Sequence, residues 1–221
     1  VHQTVGDFQE VFKSLTDDGS PVLAILLSGV LSGTLQSATV AAASLPDRSI
    51  AIVNSKTASV GYGLMALEAR ELAVTGVSFG SLVDKVQSMV ERTATMFSVD
   101  TLNYLYRNGR IGRAAHFWGG ALNFKPVLTL DNEGYVHGLT RVRGRGKVIP
   151  ALIEAAGNRV PFGNRVALGI SHGDDPGAAK ALLDAARKEW RVQRVVETEL
   201  GAVIGIHNGP GTLALIVLPL D

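Results

Sequence analysis

The sequence predicts an α/β protein with two lobes, one built on a parallel sheet and the other on a mixed or antiparallel sheet. In the first lobe, apolar runs of strand length alternate with amphipathic helical segments, as in parallel α/β layers. In the second, an Asp-Asn-Glu-Gly turn separates two strand-like segments, which indicates a hairpin. The 221 residues are 46% hydrophobic, which suffices for a core. We place the lobes at 1–95 and 96–221.

Helices of the first lobe are predicted from apolar residues spaced three or four apart. The first helical face comprises Phe8, Val11, Phe12 and Leu15. Continuous apolar runs at 22–27 and 50–53 suit strands buried on both faces. Further helices are expected at 34–44, over 65–73, and after Ser78, which is placed to cap the last of them.

The second lobe is predicted to contain hairpins and mixed strands. Its helices are expected near 114–122, over 147–156, and from Pro176 onward, with Asp175 preceding the last. Its strands are expected at 95–99, 127–130, 135–142, 165–171, 195–198 and 213–218. We expect the last two of these strands to close the sheet.

Composition excludes several classes of function. The net charge is +1, so nothing global attracts nucleic acid or an anionic membrane. The absence of cysteine removes disulfides and thiol chemistry and fits a reducing cytoplasm, where we expect the protein to act. No apolar run reaches the roughly 18 residues that cross a bilayer, so no integral membrane segment is expected. His172, Asp174 and Asp175 make a poor metal site, and no metal or cofactor is expected.

A serine- and glycine-rich turn, LSGVLSGT, follows the first predicted strand and opens a helix. Ligands of α/β sheets bind beyond the carboxyl ends of strands, and a helix start offers free N–H groups to an anion. A carboxylate or a phosphate would suit the turn, and an ordinary capped helix start is the alternative. The candidate ligand-binding residues are Ser28, Gly29, Ser32, Gly33 and Thr34.

Two further motifs carry candidate polar contacts. The turn NSKTAS follows the second strand, at the same end of a parallel sheet, and its Lys56 could neutralise an anion or pair with Asp100; a capped helix start is again the alternative. The segment GIHNGPG places His207 between glycines, in what we interpret as a loop. A lone histidine is usually structural or solvated, but His207 could donate a hydrogen bond to a carboxylate.

Two basic segments, RNGRIGR and RVRGRGK, supply seven cations to a nearly neutral chain. Solvated charge is the default explanation, and a phosphate-bearing ligand or an acidic protein face is the more specific one. No aromatic residue lies between the cations, which argues against binding of single-stranded nucleic acid. The cations are Arg107, Arg110, Arg113, Arg141, Arg143, Arg145 and Lys147.

Six motifs, LSGVLSGT, NSKTASVGYG, DTLNYLYRNGRIG, NFKPVLTLDNEG, VRGRGK and GIHNGPG, occur in the order found in the DegV family of bacterial fatty-acid-binding proteins. The chain resembles this family from about residue 5 to its C-terminus. The resemblance implies two α/β lobes with a long-chain fatty acid between them. It also implies that Ser28 and Gly29 hold the carboxylate, with Ser32 nearby, and that His207 lies near the same head group.

The resemblance further implies a carrier subunit with no catalytic residues of its own. Such a subunit presents the fatty acid to a separate ATP-binding kinase subunit, which converts the carboxylate to an acyl phosphate. Arg143 is the best match to the family's partner-facing and phosphate-facing position, with Arg107, Arg110 and Lys147 as further candidates.

The start of the chain departs from the family pattern. The family begins with an additional strand and a TDSTADL-like motif, followed by a TSQP-like segment whose threonine contacts the carboxylate. Only VHQT stands in that place here, so Thr4 is the candidate for this ligand, and we expect the chain to lack the usual N-terminal segment. Asn208 also stands where threonine is common in the family.

An acyl chain of about sixteen carbons gains on the order of 10 kcal/mol from burial, so a fatty acid site needs an apolar lining. Candidate lining residues, each of which could equally be ordinary core, are Leu102, Leu105, Ile111, Phe117, Trp118, Leu122 and Phe124. Two other functions compete with lipid carriage. One is a stand-alone phosphotransferase or small hydrolase using His207 or Ser32, although no nucleotide loop or catalytic triad pattern is present. The other is a transcriptional or interaction module using the arginine loops.

Overall fold

The computed structural model describes residues 3–117 and 123–220. Two short 3₁₀ helices, Gly112–Phe117 and Arg145–Lys147, accompany the main elements of this part of the chain. The main elements are, in order, α1 (Val5–Thr16), β1 (Val22–Leu26), α2 (Thr34–Ala43), β2 (Ile50–Asn54), α3 (Val60–Val74), α4 (Phe79–Arg92), β3 (Ala94–Ser98), α5 (Asn103–Arg107), β4 (Phe124–Leu130), β5 (Val136–Arg143), α6 (Val148–Gly157), β6 (Arg165–His172), α7 (Pro176–Glu189), β7 (Arg191–Glu199), α8 (Ala202–Asn208) and β8 (Leu213–Pro219).

The first sheet consists of β1 and β2, which pair in parallel from Val22 opposite Ile50 to Leu26 opposite Asn54. Helices α1 and α2 cover one face, where Phe12 is buried together with small alanines of α2. The other face packs against α3 and α4. This arrangement confirms the predicted parallel α/β layer.

The second sheet has six strands in the order β5-β4-β3-β8-β6-β7. Only β6 and β7 pair in parallel, and β4 and β5 form the hairpin that the Asp-Asn-Glu-Gly turn predicts. Strand β8 lies in the middle of the sheet, so the prediction that it closes the sheet is wrong. Its apolar residues alternate between two cores, with Leu215 facing α6 and α7 and Ile216 facing α3 and α4, which suits a central strand.

Helices α3 and α4 form a layer between the two sheets. Leu64, Met65 and Val86 are fully buried in this layer and pack with Ile216 and Leu218 of the six-stranded sheet. The mixed α/β architecture with its two sheets confirms the predicted fold class. Residue 95, at which we divide the lobes, lies inside β3, and the division stays a prediction.

The predicted elements recur in the structure with two additions, the short helices α5 and α8. The predicted helical face of α1 is only half buried, because Phe12 packs against α2 while Val11 and Leu15 are 51% and 54% exposed. The helix expected near 114–122 begins as a 3₁₀ helix at Gly112, and its remainder lies outside the described residues. Among the described residues, no helix has the length and apolar character needed to cross a membrane.

Candidate functional site

A cavity of about 260 Å³ lies where the turn after β1, the start of α3, strands β3 and β8, and helix α8 meet. Its wall is mainly apolar. The sheet contributes Phe97, Leu130, Val136, Ala214 and Ile216, and the turns and helices contribute Leu27, Leu31, Leu105, Val203 and Ile204. Such a lining suits a hydrocarbon chain and offers it few polar partners.

Arg110 and His207 are the titratable side chains that line this cavity, and no carboxylate of the described residues lines it. The Arg110 guanidinium is held in place because its Nε donates to the Leu31 carbonyl at 3.1 Å and its Nη1 donates to the Asn108 carbonyl at 3.0 Å. A fixed cation without a carboxylate beside it makes this end of the cavity complementary to an anion.

His207 lies in the last turn of α8, and its Nδ1 is buried without a hydrogen-bond partner among the described residues. Burial, and secondarily the nearby Arg110 charge, hold the pKa of His207 below its ordinary value. A bound carboxylate would supply the missing partner of Nδ1 and would offset the effect of the Arg110 charge.

Two helix N-termini also border the cavity. Gly33 is the N-cap of α2 and Ser59 is the N-cap of α3, and neither cap makes a side-chain hydrogen bond to its helix. The Thr34 N–H donates to the Ser32 hydroxyl and the Gly61 N–H donates to the Ala58 carbonyl at 3.1 Å. The remaining N–H groups of each first turn, with the positive end of the helix dipole, favour an anion here. Ser59 has a φ of +53°, a strained value for a residue other than glycine. The motif NSKTAS is predicted to lie near the site, but Ser59 is not among the predicted ligands. Its position directly before an apolar helix is the sequence feature that indicates it.

Within LSGVLSGT, the structure brings Ser32 and Gly33 to the cavity. The Ser32 hydroxyl lies 2.9 Å from the Thr34 hydroxyl and accepts a hydrogen bond from the Thr34 N–H at 3.3 Å. Thr34 is buried behind Ser32 and does not line the cavity. Its hydroxyl therefore orients Ser32 in this arrangement.

Ser28 and Gly29 lie one layer behind the cavity instead of lining it. The fully buried Ser28 hydroxyl donates to the Gly134 carbonyl at 3.0 Å, and the Ser28 N–H donates to the Thr57 carbonyl at 2.8 Å. The Gly29 N–H donates to Asn54 Oδ1 at 3.3 Å. These bonds brace the turn against its neighbours, and the contact of Ser28 and Gly29 with a carboxylate stays a prediction.

Thr4 and Lys56 also lie apart from this cavity, and the contact of Thr4 with a carboxylate stays a prediction. Thr4 is exposed at the start of α1, where its hydroxyl accepts from the Asp7 N–H at 3.2 Å and donates to Asp7 Oδ2 at 2.8 Å. It caps that helix and does not line the cavity. The predicted pair of Lys56 with Asp100 is wrong, because Asp100 instead pairs with Lys125 at 3.0 Å and with Arg145 at 2.6 Å.

The basic residues separate by their contacts, and Arg141 places its guanidinium over the Phe117 ring at 5.0 Å. Arg110 lines the cavity, whereas Arg113 pairs with Asp131 and Glu133, and Arg145 bridges two aspartates. The side chains of a last group are exposed and make no hydrogen bond or ion pair to any residue in the described part of the chain. This group comprises Arg107, Arg143 and Lys147.

The residues predicted to line an acyl-chain site also differ in where the structure places them. Leu105 lines the cavity, and Leu102 and Ile111 are buried in the core beneath it, against which Phe117 packs. Phe124 is 43% exposed and is not part of the lining. The expected lining residues Trp118 and Leu122 lie outside the described residues.

His207 was expected in a loop but lies in a helix. Gly201 forms the N-cap of α8, Gly209 forms its C-cap and Gly205 lies inside it. Three glycines so close together indicate a loop by composition, which is why the helix was missed. Asn208 lines the cavity beside His207.

The sequence model described as "Uncharacterised protein, DegV family" matches residues 2–220. A DegV domain-containing protein from Streptomyces coelicolor is 36% identical over 214 residues, which cover 95% of this chain and 74% of the relative. Another, from Caldanaerobacter subterraneus, is 34% identical over 205 residues, covering 92% of this chain and 72% of the relative.

Solved structures give the same result. A DegV family protein from Thermus thermophilus, described as binding fatty acid, superposes with a TM-score of 0.90 at 35% identity, covering 99% of this chain and 78% of that protein. A DegV lipid-binding protein from Thermotoga maritima superposes with a TM-score of 0.89 at 28% identity, covering 100% of this chain and 77% of that protein. In sequence and in fold, this chain belongs to the DegV family.

Proposed function

We propose that the chain binds one long-chain fatty acid in the cavity between its sheets, with the carboxylate at the end marked by Arg110 and His207. The observation that carries this proposal is an apolar cavity whose titratable lining groups are Arg110 and His207, with no carboxylate among the described lining residues. The related proteins described as binding fatty acid or lipid support it.

The energetics favour an amphipathic ligand over a purely polar one. Each buried methylene contributes about 0.8 kcal/mol, so the apolar wall supplies most of the affinity. Burying a carboxylate is costly unless several donors meet it. The Arg110 guanidinium, the His207 ring and the Ser32 hydroxyl are among the donors that line this cavity, and N–H groups follow Gly33 and Ser59.

We further propose that the chain is a cytoplasmic carrier that does no chemistry alone and presents the carboxylate to a separate ATP-binding kinase subunit. That subunit would transfer the γ-phosphoryl group of ATP to a carboxylate oxygen and release ADP and an acyl phosphate. Support comes from Arg107, Arg143 and Lys147, whose exposed charges have no partner among the described residues. Exposed cations attract both an acidic protein face and a nucleotide phosphate.

The binding site is tested by two matched variants, Arg110→Gln and Arg107→Gln, titrated with palmitate and with a hydrocarbon of similar length that lacks a carboxylate. Arg110→Gln should weaken palmitate binding roughly 10- to 100-fold, because a charged hydrogen-bond donor is lost. It should leave hydrocarbon binding nearly unchanged, and Arg107→Gln should change neither. Equal palmitate affinity for Arg110→Gln and the wild type would contradict the proposed carboxylate position.

A further inference from the structure

Arg145 differs from the other cations of the segment RVRGRGK because its guanidinium is paired with two carboxylates of the protein. Its Nη1 donates to Asp100 Oδ1 at 2.6 Å, and its Nη2 forms an ion pair with Asp175. Asp100 lies just beyond the end of β3, and Asp175 is the N-cap of α7. Arg145 therefore ties the start of α6 to two elements that are distant in sequence.

The two carboxylates are themselves fixed by other bonds. Asp175 accepts from the Ala178 N–H at 2.9 Å, and this bond together with Arg145 holds the pKa of Asp175 below its ordinary value. Asp100 also accepts from Lys125 Nζ at 3.0 Å. Two cations thus balance two carboxylates, which leaves the cluster without net charge to offer a phosphate group or an acidic partner.

The same cluster packs against the turn formed by residues 209–212. Arg145 Nη2 lies 3.4 Å from the Gly211 carbonyl oxygen. A Cβ atom on Gly211 would come within 2.6 Å of Asp100 Oδ2 and 3.0 Å of Arg145 Nη1, and the φ of Gly211 is +73°. On its other side the turn is held by the Gly211 N–H, which donates to the Gly173 carbonyl at 2.7 Å. The turn is therefore held between the ion-pair cluster on one side and Gly173 on the other.

This turn directly follows α8, the helix that carries His207. No residue of α8 is fully buried, so the helix has little core packing to hold it. Its tertiary hydrogen bonds include the one from Asn108 Nδ2 to the Ile206 carbonyl at 2.9 Å. With so few contacts along its length, the helix depends on the segments at its ends for its position.

We propose that Arg145 is a positioning residue that holds the turn 209–212, and through it His207, in the geometry that receives the ligand's head group. Arg145 acts through this turn and contacts neither the ligand nor a partner. The assignment distinguishes it from Arg143 and Lys147, which lie on either side of it and whose side chains make no hydrogen bond or ion pair among the described residues. The role rests on the fatty acid site proposed above.

The test compares Arg145→Gln with Arg143→Gln, using the imidazole NMR resonances of His207 in lipid-free protein and the affinity for palmitate. Arg145→Gln should shift the His207 resonances and lower palmitate affinity roughly tenfold, while Arg143→Gln leaves both unchanged. Arg145→Lys, which keeps the charge but loses the two-pronged contact, should give a smaller change. Wild-type resonances and affinity in Arg145→Gln, or equal changes in Arg143→Gln, would overturn the assignment.

A second variant covers the case in which Arg145→Gln unfolds. Gly211→Ala keeps every charge but places a methyl group against the cluster, so it should shift the same His207 resonances and weaken palmitate binding in the same direction. Unchanged His207 resonances in folded Gly211→Ala would contradict the assignment. The NMR measurement needs no lipid, so if the wild type fails to bind palmitate, the proposed function fails while the role of Arg145 is still decided.

Discussion

The two walls of the cavity differ sharply in how they are built. The sheet wall comes from central strands, where Phe97 is 6% exposed and Ile216 is 1% exposed. The opposite wall is α8, a helix without a fully buried residue, in which Val203 is 66% exposed and Ile206 is 58% exposed. The sheet wall therefore sets the shape of the cavity and stabilises the protein, whereas α8 contributes a polar group, His207, at little gain in stability.

Because of this difference, we expect the sheet wall to provide most of the binding energy for the acyl chain and the polar groups to provide specificity for the head group. A rigid apolar wall gives any hydrocarbon the same favourable burial, because the hydrophobic effect has no direction. Hydrogen bonds to a head group need particular donors in particular places, and the proposed donors lie on α8, at Arg110, and on the turns that open α2 and α3. Substitutions in the two walls should consequently alter different properties.

The largest effect is expected from a matched pair of isoleucines, Ile216→Ala in the sheet wall and Ile206→Ala in α8. Ile216→Ala should lower the free energy of unfolding by about 2–5 kcal/mol, because it leaves a cavity in packed core. Ile206→Ala should cost within about 0.5 kcal/mol, because the side chain is largely in solvent. Urea denaturation of lipid-free protein measures both, and similar losses would remove the distinction between the walls.

A smaller effect is expected from filling the cavity at its sheet wall with Ala214→Leu. The added side chain occupies space that the acyl chain needs, so affinity for a sixteen-carbon acid should fall by roughly tenfold, as expected when one or two methylenes' worth of contact is lost. Affinity for a ten-carbon acid should fall less, because a shorter chain can avoid the obstruction. Competition binding with both acids gives the two values, and an equal loss for both would place the acyl chain elsewhere.

The pH dependence of α8 provides a third test. The folded protein disfavours the charged form of His207, so the pKa of this residue is lower in the folded than in the unfolded state. The free energy of unfolding of lipid-free protein should therefore be highest above the ordinary histidine pKa of about 6.5 and should decrease as the pH falls below it. A bound carboxylate favours charged His207 and raises its pKa, so binding should take up protons and palmitate affinity should increase from pH 7.5 to pH 6.0. Arg110 is the other charged group on this part of the cavity.

Calorimetry in buffers of different ionisation enthalpy measures that proton uptake. His207→Gln provides the control, because it removes the titrating ring while the remaining histidines keep their contributions. Proton uptake that persists unchanged in His207→Gln would mean that another group titrates on binding.

The smallest effect on lipid affinity is expected from the free cations outside the cavity. The double variant Arg143→Gln, Lys147→Gln should bind palmitate as the wild type does, because neither residue lines the cavity. With a purified ATP-binding kinase subunit, the same variant should form acyl phosphate more slowly, and the wild-type rate should fall as salt is raised. Equal rates for variant and wild type at low salt would contradict a partner contact at these residues.

Sequence patterns predicted the sheet wall far better than α8. Strand β8 is a continuous apolar run, and burial on both faces favours such a run in a central strand. Helix α8 is short and contains Gly205, so its composition indicated a loop although packing against α5 allows a helix. Local propensity describes such a segment poorly when tertiary contacts decide its conformation.

The candidate site was predicted in part, for a similar reason. The motifs identified Ser32, Gly33 and His207, because residue type and position after a strand suffice to suggest an anion site. They could not show that the Ser28 hydroxyl donates a hydrogen bond to the carbonyl of Gly134, more than a hundred residues away in the sequence. They also could not show that Arg110 lies in the cavity whereas Arg145 is bound by two aspartates, since that distinction depends on long-range pairing.

Solvent extraction of the purified protein, followed by mass spectrometry, tests the central claim most directly. The extract should contain long-chain fatty acid at about one molecule per chain, and incubation of delipidated protein with palmitate or oleate should restore that ratio. Arg110→Gln should retain clearly less under the same conditions. An extract without fatty acid, and no uptake of either acid by folded protein, would contradict the account.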